Sequence, residues 1–180
     1  MYRVVFHIDH KHRDLPSMAL IAFFLKKKGL KTYFCSSLNH NIINHIDPDF
    51  IIMSKFRNAL NNVKQWIKSN CKIIIIQSEG NLQAKENKFV SERDKYLFQN
   101  TYTPDLTIFW NIEEMTKYSK FMDNNKQKVF IGCPRLDFLK PKFMNLYSSK
   151  ETILKKLNLD VSKFTITLAT SIGLSHANKK

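Results

Sequence analysis

Six consecutive residues, Asp9-His10-Lys11-His12-Arg13-Asp14, carry ionisable side chains, directly after a short apolar run and directly before helically spaced apolar residues. Backbone amides at a helix start, together with Arg13, could hold an anion there. A solvated loop with Asp14 as a simple N-cap accounts for the same residues. Asp9 and His12 are candidate proton acceptors in this loop, and His10 and Arg13 are candidate ligands for a polar or anionic substrate. His10 and His12 could also point the same way as a metal pair. No third ligand follows at suitable spacing, so no metal site is expected.

Three more polar strings follow apolar runs. Ser54-Lys55-Phe56-Arg57-Asn58 offers a cationic pair at a helix start, with Arg57 the better phosphate ligand. Gln77-Ser78-Glu79-Gly80 places one carboxylate after the most apolar run, where Glu79 could act as a general base or hydrogen-bond a sugar hydroxyl, with Ser78 and Gly80 beside it. Capping or a structural hydrogen bond is the plainer alternative for Glu79. Ile131-Gly132-Cys133-Pro134-Arg135-Leu136-Asp137 is the most specific string. Gly132 permits close backbone approach, Pro134 fixes the turn, and Arg135 with Asp137 could pair or contact phosphate. With only four glycines, the chain holds neither a dinucleotide nor a P-loop fingerprint, and no cofactor is expected. There is no Gly-x-Ser-x-Gly elbow either.

The elements that must position these strings follow from periodicity. Val4–Ile8, Thr32–Cys35, Phe50–Met53, Cys71–Ile76, Leu106–Trp110 and Lys128–Ile131 read as six strands. Helical spacing separates them over Asp14–Lys28, through Ala59, Leu60, Val63, Trp66 and Ile67, and around Glu113–Met122, whose first turn is acidic. Strands that are apolar throughout and alternate with helices call for an α/β doubly wound parallel sheet covered on both faces. In such a sheet ligands bind at the carboxyl ends of the strands, where all four polar strings fall. Pro141–Tyr147 breaks the rhythm. Ser148 then reads as a cap with Glu151 three residues on, and Phe164–Ala169 as a new strand opening a second unit.

Composition bounds the rest. At 180 residues, with 43% hydrophobic and 24% charged, the chain suits one well-cored domain and the start of another, drawn at 1–145 and 146–180. No run is long enough to span a membrane and no signal peptide opens the chain, so a cytoplasmic protein is expected. Cys35, Cys71 and Cys133 are odd in number and far apart, which favours buried, reduced thiols. The net charge of +14 asks for an anionic partner. The excess is spread evenly: residues 1–80 carry 12 basic and 5 acidic groups and residues 81–180 carry 17 and 10, with no basic tail.

Gly132-x-Pro134-Arg135-x-Asp137 closing such a domain resembles the Gly-x-Pro-Arg-x-Asp string of the CDP-glycerol glycerophosphotransferase-like and surface-carbohydrate-biosynthesis proteins, which have the GT-B glycosyltransferase fold. His10-Lys11-His12-Arg13-Asp14-Leu15-Pro16-Ser17 and Ser78-Glu79-Gly80 resemble the surface-polysaccharide branch. The glycerophosphotransferases carry Trp-His-Gly where this chain has Ser78-Glu79-Gly80, so a catalytic His does not carry over there. The resemblance implies a Rossmann-like acceptor domain, with the donor, an activated sugar or CDP-linked polyol, held mainly by a second domain. Thr170–His176, including Ser171, would be the first donor-side loop. The chain is then expected to stop just inside that domain and to be inactive alone. Glu79, Asp9 or His12 would deprotonate an acceptor hydroxyl, and Arg13 and Arg135 would hold anionic groups. The acceptor would be a surface glycan or lipid-linked acceptor, met at an anionic membrane face. The alternative is a basic, non-catalytic α/β module for nucleic acid or nucleotide; evenly spread lysines and aromatics on apolar stripes speak against specific nucleic-acid binding.

Overall fold

A computed structural model of the chain describes residues 1–39, 41–54, 70–76, 104–120, 122 and 124–167. Six parallel strands form one sheet: β1 (Arg3–Ile8), β2 (Lys31–Ser36), β3 (Phe50–Met53), β4 (Lys72–Ile76), β5 (Leu106–Phe109) and β6 (Gln127–Phe130). Their spatial order is β2-β1-β3-β4-β5-β6. The chain steps from β1 outward to β2 and then returns across β1 to β3, which makes the β1–β3 junction the topological switch point. Val4 stands opposite Phe50 and His7 opposite Met53 across that junction, while on the other side Phe6 pairs with Phe34 and His7 with Cys35. The expected Rossmann-like, doubly wound α/β class is what the chain adopts.

Alternate residues of the strands build two cores. Val5, Ile51, Met53, Ile73 and Ile75 pack on one face with Cys35, Cys71 and Ile43, the last from helix α2 (Asn41–Ile46). Val4, Phe6, Ile52 and Ile76 pack on the other against Met18 and Ala22 of helix α1 (Lys11–Lys27). A strand buried on both faces has little room for polar residues, which is why β1, β3 and β4 are mostly Val, Ile, Phe and Met, with buried His7 the exception. Helix α3 (Ile112–Ser119) joins β5 to β6.

At the amino edge of the sheet two aspartates pin neighbouring strands. Asp49 accepts from the Arg3 backbone N–H at 2.6 Å, and Asp105 accepts from that of Ile73 at 2.9 Å. Each carboxylate sits one residue before its own strand and takes up a donor that the ladder leaves unused. Thr107 lies buried in β5 with no hydrogen-bond partner for its hydroxyl among the described residues.

The chain divides into two units, Met1–Phe138 and Leu139–Lys180. A 3-10 helix at Pro134–Leu139 runs across the division. In the second unit another 3-10 helix covers Pro141–Leu146, and α4 covers Lys150–Lys156. Its N-cap is Ser149, whose hydroxyl accepts from Thr152 N–H at 3.2 Å, one residue later than the expected Ser148. The expected strand over Phe164–Ala169 is not formed through Thr167: those residues have no ladder partner among the described residues, and Phe164 and Ile166 are largely exposed. An apolar, β-branched run is only a strand when a neighbour accepts its backbone bonds. Leu168 and Ala169 lie outside the described residues.

Candidate functional site

The loop after β1 folds into the start of α1. His10, in extended conformation, is the N-cap: its Nδ1 accepts from Arg13 N–H at 3.3 Å. Asp14, a simple N-cap in the plainer of the two readings, lies one turn inside the helix instead and is fully buried. Its Oδ2 accepts from the His10 backbone N–H at 2.9 Å, from Ser54 Oγ at 2.8 Å and from Arg13 Nη2 at 3.1 Å, while Oδ1 accepts from Arg13 Nε at 2.7 Å. Ser54 directly follows β3, so this contact ties the ends of β1 and β3 together at the switch point. Pro16 sits within α1 without ending it.

Burial by itself would raise the Asp14 carboxyl. The Arg13 guanidinium, the His10 amide and the Ser54 hydroxyl outweigh it and hold the group at about 2. Four donors on one carboxylate are enough to keep it charged in a dry setting. Asp9 completes the arrangement, its Oδ2 3.1 Å from Arg13 Nη2. Arg13 is therefore gripped by two carboxylates, with 15% of its side chain left accessible. A planar fork anchored side-on in this way has lost most of the rotamer freedom that a ligand would otherwise have to restrict.

Between the ends of β1 and β2 a cleft of about 470 Å³ adjoins this network. Ile8, Leu15, Phe34 and Leu38 form an apolar wall; Asp9, Lys11, Ser36 and Ser37 supply polar groups. That volume is in the range that accepts a small ligand. His12 is exposed, with its ring centroid 6.1 Å from that of His10. Among the described residues no group of three His, Cys, Asp or Glu side chains could hold a metal ion.

The β5–α3 turn repeats the capping logic: Asn111 Oδ1 accepts from Glu114 N–H at 2.7 Å and buried Glu114 Oε2 accepts from Trp110 N–H at 3.2 Å. After β6, Gly132 adopts φ +89°, yet a Cβ there would meet nothing within 4 Å. The positive φ is a backbone conformation that favours glycine at this position. Arg135 is exposed and Asp137 half-buried in the 3-10 helix that follows.

The structure thus brings Asp9, His10 and Arg13 together around Asp14, with His12 exposed near His10. Arg135 and Asp137 stand on the same carboxyl rim but at its far side, four strand spacings or roughly 19 Å from β1. Arg57, Ser78, Glu79, Gly80 and Ser171, and the helix expected through Ala59–Ile67, lie outside the described residues. Ser54 and the buried role of Asp14 escaped sequence reasoning. Their only sequence signal was a serine ending an apolar strand and an acid in a first helical turn. No family model, curated protein or solved structure matches the chain. What the fold and site define is a doubly wound α/β domain with a charged, pre-organised switch point.

Proposed function

We propose that this chain provides the acceptor-side domain of a GT-B-type glycosyltransferase, or of a glycerophosphotransferase-like enzyme, in surface polysaccharide biosynthesis. The observation that supports it best is Arg13, locked by Asp14 and Asp9 beside a cleft whose wall is apolar and whose rim is polar. Such a cleft suits a sugar or polyol unit, with a ring or carbon face against Phe34 and hydroxyls toward Asp9, Ser36 and Ser37. Arg13 fixes Asp9 at the rim, and Lys11, which lines the cleft, is the cation for an anionic group of the acceptor. In glycosyl transfer the acceptor oxygen bonds to the anomeric carbon, its proton passes to a carboxylate or imidazole, and the bond to the nucleotide phosphate oxygen breaks. Asp9, His12 and Glu79 are the candidates for that proton. The nucleotide-linked donor is held outside this domain, and the protein works in the cytoplasm at the inner membrane face on a surface glycan or lipid-linked acceptor. Among the described residues no helix is long and apolar enough to cross a membrane.

Turnover with CDP-glycerol or UDP-sugar donors and a lipid-linked glycan acceptor, measured with the chain joined to a donor-binding domain, tests this reading. Arg13→Ala is expected to lower turnover about 100-fold, because a misplaced acceptor forfeits orientation. Unchanged turnover in that variant would exclude the assigned role. Tight oligonucleotide binding that steepens with length and weakens sharply with salt would favour the nucleic-acid module instead.

A further inference from the structure

Helix α1 is apolar on two sides. At 100° per residue Met18, Ala22 and Leu25 project toward the sheet, where they pack into the core. The opposite side carries Leu20, Phe23, Phe24 and Lys27. Phe23 and Phe24 remain 53% and 50% exposed. They meet edge to face at 5.5 Å, and Lys27 Nζ lies 4.7 Å from the Phe23 ring centroid. A surface helix ordinarily confines its large apolar residues to the stripe facing the core. Two adjacent phenyl rings on the outward side of a 17-residue helix mark an interaction surface.

Charge identifies what it meets. Lys26, Lys27 and Lys28 close the helix, and Lys31 opens β2 at the same end; all four are exposed. No acidic residue occurs between Asp14 and Asp47, and Asp47 is engaged by Arg3 at 2.9 Å. A second copy would press this one-signed surface, on a chain of net charge +14, toward another of the same sign. Nucleic-acid bases stack on open aromatic faces, whereas Lys27 already occupies a face of Phe23. An acidic bilayer uses both halves of the pattern. Phenyl rings enter the boundary between headgroups and acyl chains, and lysines meet the acidic headgroups.

The geometry points to the C-terminal half of α1, Leu20–Lys28 with Lys31, as a docking surface for an anionic phospholipid bilayer. This deepens the membrane-side placement proposed above and does not depend on which group the protein transfers. Lys27 stands about 21 Å along the helix from Arg13, so replacing the surface leaves the Asp14 network untouched.

Vesicle flotation of the full chain, with phosphatidylcholine alone and with an equimolar mixture of phosphatidylcholine and phosphatidylglycerol, tests the assignment. Binding to the acidic vesicles only is expected. Phe23→Ser with Phe24→Ser should weaken it at least about tenfold, and Lys26→Gln, Lys27→Gln and Lys28→Gln together about 100-fold at low salt. Circular dichroism should stay native in both variants, since every replaced side chain is exposed. Absence of binding to acidic vesicles, or binding that survives both variants, would overturn the proposal. So would a lipid-free dimer that the phenylalanine variant dissolves, or oligonucleotide binding with the same dependence on Phe23 and Phe24. Each of these leaves the donor-turnover assay free to succeed or fail separately.

Discussion

Asp14 is the residue on which the candidate site turns, because it is a buried charge whose every contact belongs to an element of the rim. Its carboxyl is held at about 2 against an ordinary value of 3.8. The folded value is the lower one, so the associated stability is complete above about 3.8 and is lost as pH falls through about 2. Its size is on the order of 2 kcal/mol. Urea midpoints measured across that window should fall with pH in the native chain and be flatter in Asp14→Asn. Ser54→Ala removes one of three donors to Oδ2. It is expected to cost about 1.5 to 3 kcal/mol, the worth of a hydrogen bond to a charged group, read as a lower urea midpoint at constant slope.

The elements show where sequence periodicity is sufficient and where it is not. All six strands were legible because each is a run of apolar residues between polar strings; α1 starts three residues earlier than expected because His10, not Asp14, caps it. Within β5, Thr107 buries a hydroxyl without a partner among the described residues. Thr107→Val keeps the shape and removes that polar group, so a gain of about 1 kcal/mol is expected in thermal or urea unfolding. After β6, Gly132 is in the left-handed region at φ +89° with open space around it. Gly132→Ala should therefore cost about 1 to 2 kcal/mol through backbone strain alone, and added volume should not deepen the loss.

Across the whole molecule the two cores bury Cys35 and Cys71, whereas Cys133 is only half-buried, a departure from the expectation of three buried thiols. Burial pushes the Cys71 thiol up to about 12, with the Asp49, Asp105 and Asp47 carboxylates adding to it, and burial raises Cys35 as well. Thiolate is the reactive form. Alkylation of the native chain by iodoacetamide near neutral pH, followed by mass mapping, should mark Cys133 first. Cys35 and Cys71 should react only as the sheet opens, which makes them reporters of global unfolding.

Apolar periodicity determined the α/β class, the six strands of the described sheet and the carboxyl rim on which Asp9, His10, His12, Arg13, Arg135 and Asp137 stand. Those are local properties, set by which neighbours along the chain are apolar. Strand order was not local. Only the folded sheet decided that β1 and β3 adjoin, and with them Asp14 and Ser54, forty positions apart, while Arg13 and Arg135 end at distant points of one rim. The same distinction separates the two apolar sides of α1: periodicity shows that both exist, and only packing against β1 and β3 decides which one is left for another surface. Backbone pairing between remote segments makes these choices, and no spacing within a single segment encodes it.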